Sequence, residues 1–169
     1  TLQIWHSSDV RIIPQQTAAE NRDKRRTLLM AGHIGNKRLV QVGTKILEDA
    51  WMSEDWKTGM ERDESPYAWG HMFGRPYHDV WATNLDNGAR RKVLEKVRYS
   101  WPSAGGRYLL TFDGSHFWTY DLHKNELKNI TENINTVFAD TTYDTPTDLS
   151  PSYFYGGWME DDKAVFLYD

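Results

Sequence analysis

A chain of 169 residues, 39% apolar and 26% charged, has the composition of a globular protein with one sizeable core. Its net charge of −4 removes the basic face that nucleic acid would require. No apolar run approaches the roughly 18 residues that cross a bilayer. The absence of cysteine excludes disulfides and thiolate metal sites.

Eight Trp, nine Tyr and six Phe suit pleated surfaces and cross-strand pairs, so the chain is read first as a series of strands. It opens at Thr1 without an initiating Met or a signal-peptide pattern, as processed or excised material would. Residues 1–27 read as a strand plus connector. Within them Thr17 to Arg26, polar and charged throughout, is a linking segment or one short helix. Met30-Ala-Gly-His-Ile34 followed by Gly35-Asn36 then reads as a hairpin, since Gly and Asn tolerate positive φ. Trp51 to Lys57 is an aromatic residue, an acidic turn and a cation, and Asp63 stands six residues beyond. A long loop spans about residues 61–78. A second hairpin, Trp81 to Leu85 with Asp86-Asn87-Gly88, precedes a second aromatic–turn–cation unit, Trp101 to Arg107, with the strand-like run Tyr108 to Phe112 and Asp113. Trp118-Thr-Tyr-Asp-Leu122, with Trp118, Tyr120 and Leu122 on one face, forms the third hairpin with His123-Lys124-Asn125. After a second long loop, about 132–155, come the third unit, Trp158 to Lys163, the strand Ala164 to Tyr168, and Asp169.

Two registers tie these copies together. An aspartate lies six residues after each cation, and a β-branched residue (Val42, Val93, Ile130) lies eight after Ile34, Leu85 and Leu122. Trp51, Trp101 and Trp158 are 50 and 57 residues apart, a length that four short strands and their turns fill. The expected fold is therefore all-β: a single partial β-propeller segment over residues 1–169, about three four-stranded antiparallel blades of roughly 50 residues. Blade-like repeats are expected at about 28–78, 79–115 and 116–169. An open array of this kind leaves unpaired strand edges, through which copies are expected to associate.

Trp101-Pro-Ser-Ala-Gly-Gly-Arg107-Tyr-Leu-Leu and Phe117-Trp-Thr-Tyr-Asp-Leu resemble the widespread WD40-like propeller repeat. The run Lys128 to Ile134, Phe138, Asp144-Thr-Pro146 and Gly157 to Asp169 is similar to the propeller of prolyl oligopeptidase family serine peptidases, especially bacterial, dipeptidyl-peptidase-like exported members. The resemblance implies a periplasmic or secreted enzyme in which a propeller gates short peptides to a C-terminal α/β-hydrolase domain of the same polypeptide. That hydrolase would carry the proteolysis. This chain has no G-x-S-x-G elbow to expose a nucleophilic serine. Gly114-Ser115-His116 follows a strand and reads as a hairpin turn, so no catalytic residue is assigned. The alternative is a stand-alone propeller that binds glycans or envelope proteins.

The remaining candidates are weighed against plainer roles. His6-Ser7-Ser8-Asp9 sets the residue types of a triad side by side, but triads are assembled in space, not in sequence. Asp140, Asp144 and Asp148 lack the close spacing and the glycine turn of a calcium loop. His33, His71, His78, His116 and His123 show no zinc-site spacing. Neither a metal nor a cofactor is expected. The aromatics in register (Trp51, Trp101, Trp158, Trp81, Trp118) read as blade core. The out-of-register aromatics of the long loops are the candidate ligand or domain contacts: Tyr67, Trp69, Phe73, Tyr77, Tyr143, Tyr153 and Phe154.

Overall fold

The computed structural model describes residues 4, 6–44, 48–71 and 74–169. A helix α1 (Ile13–Lys24) precedes the sheets, followed by a strand pair β1 (Met30–His33) and β2 (Arg38–Gln41). The linking segment is thus helical, with Pro14 in its first turn, where the missing N–H costs nothing. The strand expected at the start of the chain lies on residues 1–3 and 5, outside those described.

Two four-stranded antiparallel sheets follow: β3 (Glu48–Met52), β4 (Thr58–Asp63), β5 (His78–Asn84) and β6 (Arg90–Val97), then β7 (Trp101–Pro102), β8 (Tyr108–Phe112), β9 (Phe117–Asp121) and β10 (Glu126–Asn129). A second pair, β11 (Phe154–Trp158) and β12 (Val165–Tyr168), ends the series. Between β4 and β5 a 3-10 turn at Ser65–Tyr67 leads into a one-turn helix α2 (Ala68–His71). Pro102 sits on β7, at a sheet edge, where a strand can lack an N–H.

The architecture is all-β and propeller-like, an open array with no closed barrel. The hydrogen-bonded units, however, begin elsewhere than the repeats. Full sheets cover 48–97 and 101–129, flanked by half-sheets at 30–41 and 154–168. The expected boundaries near 78 and 115 fall at the start of β5 and in the turn between β8 and β9. The reason is that the strand pairing is continuous through the long 64–77 connection, where the sequence offers the strongest break.

The repeat is visible in the turns. In the three aromatic–turn–cation units the same two bonds form. Ser53, Ser103 and Met159 N–H donate to the carbonyls of Thr58, Tyr108 and Ala164, and Trp56, Gly106 and Asp162 N–H donate back to Ser53, Ser103 and Met159. The residue at the fourth position is left-handed each time: Trp56 at φ 56°, Gly106 at 75° and Asp162 at 56°. The second hairpin series has its own left-handed position, at Lys37, Gly88 and Asn125. Leu85 and Leu122 N–H donate to the carbonyls of Lys57 and Arg107 at 2.9 Å, joining the two kinds of turn.

The core lies between successive sheets rather than within one. Val40, Val42 and Leu85 join the first pair to the first full sheet. Val80, Val93, Leu109 and Leu122 join the two full sheets. Leu110, Phe112, Phe117 and Phe138 join the second full sheet to β11 and β12, with Trp101, Ile130 and Trp158 packed around them. The β-branched register Val42, Val93 and Ile130 thus supplies one residue to each seam.

Candidate functional site

Because neighbouring strands alternate in direction, the short turns β3–β4, β5–β6, β7–β8 and β9–β10 all lie at one end of the array. Both long connections, 64–77 and 130–153, leave from the other end. Arg98, in the link from β6 to β7, fastens them together. Its Nη1 donates to Thr147 Oγ1 at 2.5 Å and to the Leu149 carbonyl at 3.1 Å, and its Nη2 to the Gly74 carbonyl at 3.2 Å. Asp148 lies 3.6 Å from Arg98 and 3.7 Å from Arg75. Beside this junction a cleft of about 490 Å³ opens between the sheets, lined by Tyr77, Lys96, Arg98, Asp113, Trp118 and Leu149 among others.

The loop end is built on a satisfied carboxylate. β5 and β6 slip register opposite Asp79, and Lys96 at φ 49° turns its N–H onto Asp79 Oδ1 at 2.9 Å. Tyr67 donates its hydroxyl to the same oxygen at 2.8 Å, and Lys92 Nζ sits 2.7 Å from the other. Burial opposes ionisation of Asp79, but the donors from Lys92, Lys96 and Tyr67 outweigh it and hold its carboxyl below the ordinary range. Burial and the Asp79 carboxylate push the Tyr67 phenol up to about 12. Burial first, then a hydrogen bond to Asp148, raises Tyr77 as well.

Of the aromatics singled out from sequence, Tyr67 and Tyr77 meet edge to face with ring centroids 6.3 Å apart, and Lys96 Nζ lies 5.5 Å from the Tyr77 ring. Trp69 is exposed on α2. Phe73 lies outside the described residues. Tyr143 and Tyr153 are exposed on the second loop, with Tyr153 hydrogen-bonded to Thr141. Phe154 belongs to β11 and packs on Tyr168 at 5.4 Å, away from the cleft. Sequence reasoning gave no role to Lys96 or Arg98, took Asp113 only as a repeat position and weighed Asp148 only in a calcium loop; Trp118, read as blade core, is instead half-buried and lines the cleft. Asp113 accepts from the Ser115 and His116 N–H groups and from Trp118 Nε1, and no local pattern announces that Trp118 turns toward it.

A nucleophile–base contact does form elsewhere. Ser100 Oγ and His78 Nε2 are 2.8 Å apart, but both side chains are buried. Arg62 Nε also reaches Ser100 Oγ, at 3.2 Å. Burial, then the Arg62 charge, lowers His78 to about 4, so the imidazole is a neutral acceptor with little proton affinity near neutral pH. The contact locks β4 and β5 to the strand link at Ser100. His6 Nδ1 accepts from the Ser8 backbone N–H rather than engaging a serine hydroxyl. Among the described residues no group of three or more His, Asp and Glu is placed to hold a metal ion, and no helix is long and apolar enough to cross a membrane.

No protein-family model matches the chain, and no curated protein matches it in sequence.

Proposed function

We propose that this chain is the non-catalytic propeller segment of an exported, prolyl-oligopeptidase-like serine peptidase, whose loop end faces short peptides on their way to a hydrolase domain. The observation that carries the reading is the gathering of both long connections at one end, clamped by Arg98 over a cleft of about 490 Å³. That cleft mixes an aromatic wall, Tyr77 and Trp118, with an apolar floor, Leu94 and Phe112, and an exposed cation, Lys96. An extended peptide needs those elements: apolar surface for side chains and a cation for a carboxylate. The propeller-like array, and the resemblance of Lys128 to Ile134, Phe138, Asp144 to Pro146 and Gly157 to Asp169 to that peptidase family, support the same reading.

The test is direct. The isolated chain is incubated with a fluorophosphonate probe and with short peptide substrates, and peptide binding is followed by Trp fluorescence. Peptide binding without labelling or hydrolysis is expected, and Lys96→Glu weakens it for peptides with a free carboxylate. Labelling of any serine overturns the non-catalytic assignment. Binding on a glycan array with no response to peptides replaces the reading with that of a stand-alone glycan-binding propeller.

A further inference from the structure

The cleft at the loop end follows from an irregular strand. Val97 pairs with His78 and Leu94 with Val80, so Glu95 and Lys96 together stand opposite Asp79 alone. A bulge of this kind bends its strand and re-aims the side chains on it. Lys96 takes a left-handed φ of 49°, which a lysine enters only at a cost. Beside the bulge the seam between the two full sheets opens. Tyr120 and Leu122 of β9 are packed into that seam, whereas Trp118, on the same face and nearer the loop end, lines the cleft. We propose that Asp113 and Trp118 form a subsite for a basic side chain, Arg or Lys, of the peptide that occupies this cleft. The proposal rests on the peptide reading above and adds to it the class of peptide.

Asp113 stands exposed at the rim of the cleft. The N–H groups of Ser115 and His116 donate to its Oδ1 at 2.9 and 2.8 Å, and Trp118 Nε1 donates to its Oδ2 at 2.7 Å. A carboxylate offers about four lone-pair positions, so about one remains, on Oδ2 beside the indole. Burial opposes ionisation of Asp113, but these donors outweigh it and hold the carboxyl below its ordinary range. It is therefore an anion at neutral pH, and its three donors are neutral groups. The neighbouring acids are matched differently. Glu95 has Lys92 at 3.0 Å and Asp148 has Arg98 at 3.6 Å, while among the described residues Asp113 has no ion-pair partner.

The indole that donates to Asp113 is open to a cation. Arg90 lies 3.9 Å over the Trp81 ring, Arg62 5.3 Å over Trp51 and Lys96 5.5 Å over Tyr77, but among the described residues no cation lies over Trp118. A carboxylate joined to an indole face gives a basic side chain an ion pair on one side and a cation–π contact on the other. Leu127, opposite Tyr120 on β10 and 51% exposed, offers apolar surface for the stem of that side chain. On the other wall Lys96 has no carboxylate partner among the described residues. A peptide with both a basic side chain and a free carboxylate thus complements both walls.

Isothermal titration of the chain with two short peptides tests the subsite. The peptides share a free carboxylate and differ only in Arg against citrulline, which keeps the shape and removes the charge. The Arg peptide is expected to bind about tenfold more tightly at low salt, and added salt should shrink that preference. Asp113→Asn brings the two peptides to the same Kd, whereas Lys96→Gln weakens both alike. Asp113 also caps its own turn, so circular dichroism and thermal melting check the fold of that variant. Trp118→Phe leaves the turn bonds of Asp113 in place, and with it the Arg preference falls to a few-fold. Equal affinity of the native chain for the two peptides overturns the subsite and leaves the peptide reading standing. Binding of neither peptide overturns both. An Arg preference undiminished in Trp118→Phe, or surviving in folded Asp113→Asn, overturns the assignment to these two residues.

Discussion

Asp55 and Asp162 do the same work from different places. In the first aromatic–turn–cation unit, Asp55 accepts from Ser53 Oγ at 2.5 Å and from Lys57 N–H at 3.0 Å. The second unit has Gly105 at the matching position, and the carboxylate arrives from the next turn. Asp162 accepts from Ser103 Oγ at 2.7 Å, Gly105 N–H at 2.7 Å and Arg107 N–H at 3.3 Å. A Cβ on Gly105 would lie 2.7 Å from Asp162 Oδ2, so one site has room for one carboxylate. Asp162→Ala should cost about 1–2 kcal/mol, the worth of charge-assisted bonds at a partly exposed site. Gly105→Asp should recover much of that loss in the alanine background while destabilising the native chain. Urea denaturation of the four variants measures both, and a further loss in the double variant would refute the exchange. His78 sets a pH dependence at the same scale. Its pKa is about 4 in the fold and about 6.5 unfolded, so between these values the unfolded chain binds more protons. Stability is full above about pH 6.5 and falls as the pH drops toward 4, by about 3 kcal/mol for a shift of this size. His78→Gln should flatten that window. Below it, Asp79 and Asp121, whose donors outweigh their burial, lose their contribution as they protonate, and this second decline should survive the substitution.

The turns are the elements that the sequence announced best. The aromatic–turn–cation pattern and the Gly and Asn signals each marked a real reversal, because left-handed residues need Gly, Asn or Asp and these are visible in the letters. Trp56 and Lys37 also adopt φ near 55°, against preference, and only the repeat alignment points to them. Where the sheets begin was less legible. β7 is two residues long, and the junction of β4 with β5 is set by backbone bonds across a connection that carries no strand pattern. Gly106 shows how tightly the turns of neighbouring sheets are fitted. It has φ 75°, and a Cβ there would meet Ser53 Cβ at 2.5 Å. Gly106→Ala should therefore destabilise by about 2 kcal/mol or more, combining a disfavoured backbone with overpacking. Gly35, with nothing within 4 Å and no positive φ, is the matched control, and Gly35→Ala should be neutral or slightly stabilising. Equal thermal melting of the two variants would mean that the turns of adjacent sheets do not bear on each other.

At the scale of the whole molecule the array has a turn end and a loop end, and this polarity was only half legible. Spacing revealed two long loops, but nothing in residues 64–77 or 130–153 says that they meet, because the meeting depends on the stacking of separate sheets. Arg98 makes the junction, and no motif in the sequence marks it. Its side chain is 11% exposed, and its guanidinium donates to Thr147, Leu149 and Gly74. A fixed fork of this kind holds two loops at once, which the single ammonium of lysine cannot. Beyond Phe138, which packs into the core, the second loop contributes one isolated bridge, Ala139 with Ser152, and Tyr143 to Pro146 are exposed. Loss of the clamp should open the loops without unfolding the sheets, since the seams between sheets are held by apolar side chains and not by the Arg98 hydrogen bonds. In Arg98→Ala, amide exchange should rise at least several-fold in residues 138–150 and in residues 74–77, while β5, β8 and β9 keep their protection. Arg98→Lys should fall between the native chain and alanine. If exchange rises in the second loop and residues 74–77 are unchanged, Arg98 is an anchor for one loop only and the loop end is not a joined surface. A uniform rise across β5, β8 and β9 would instead make Arg98 part of the global fold, and the cleft beside it a by-product of packing.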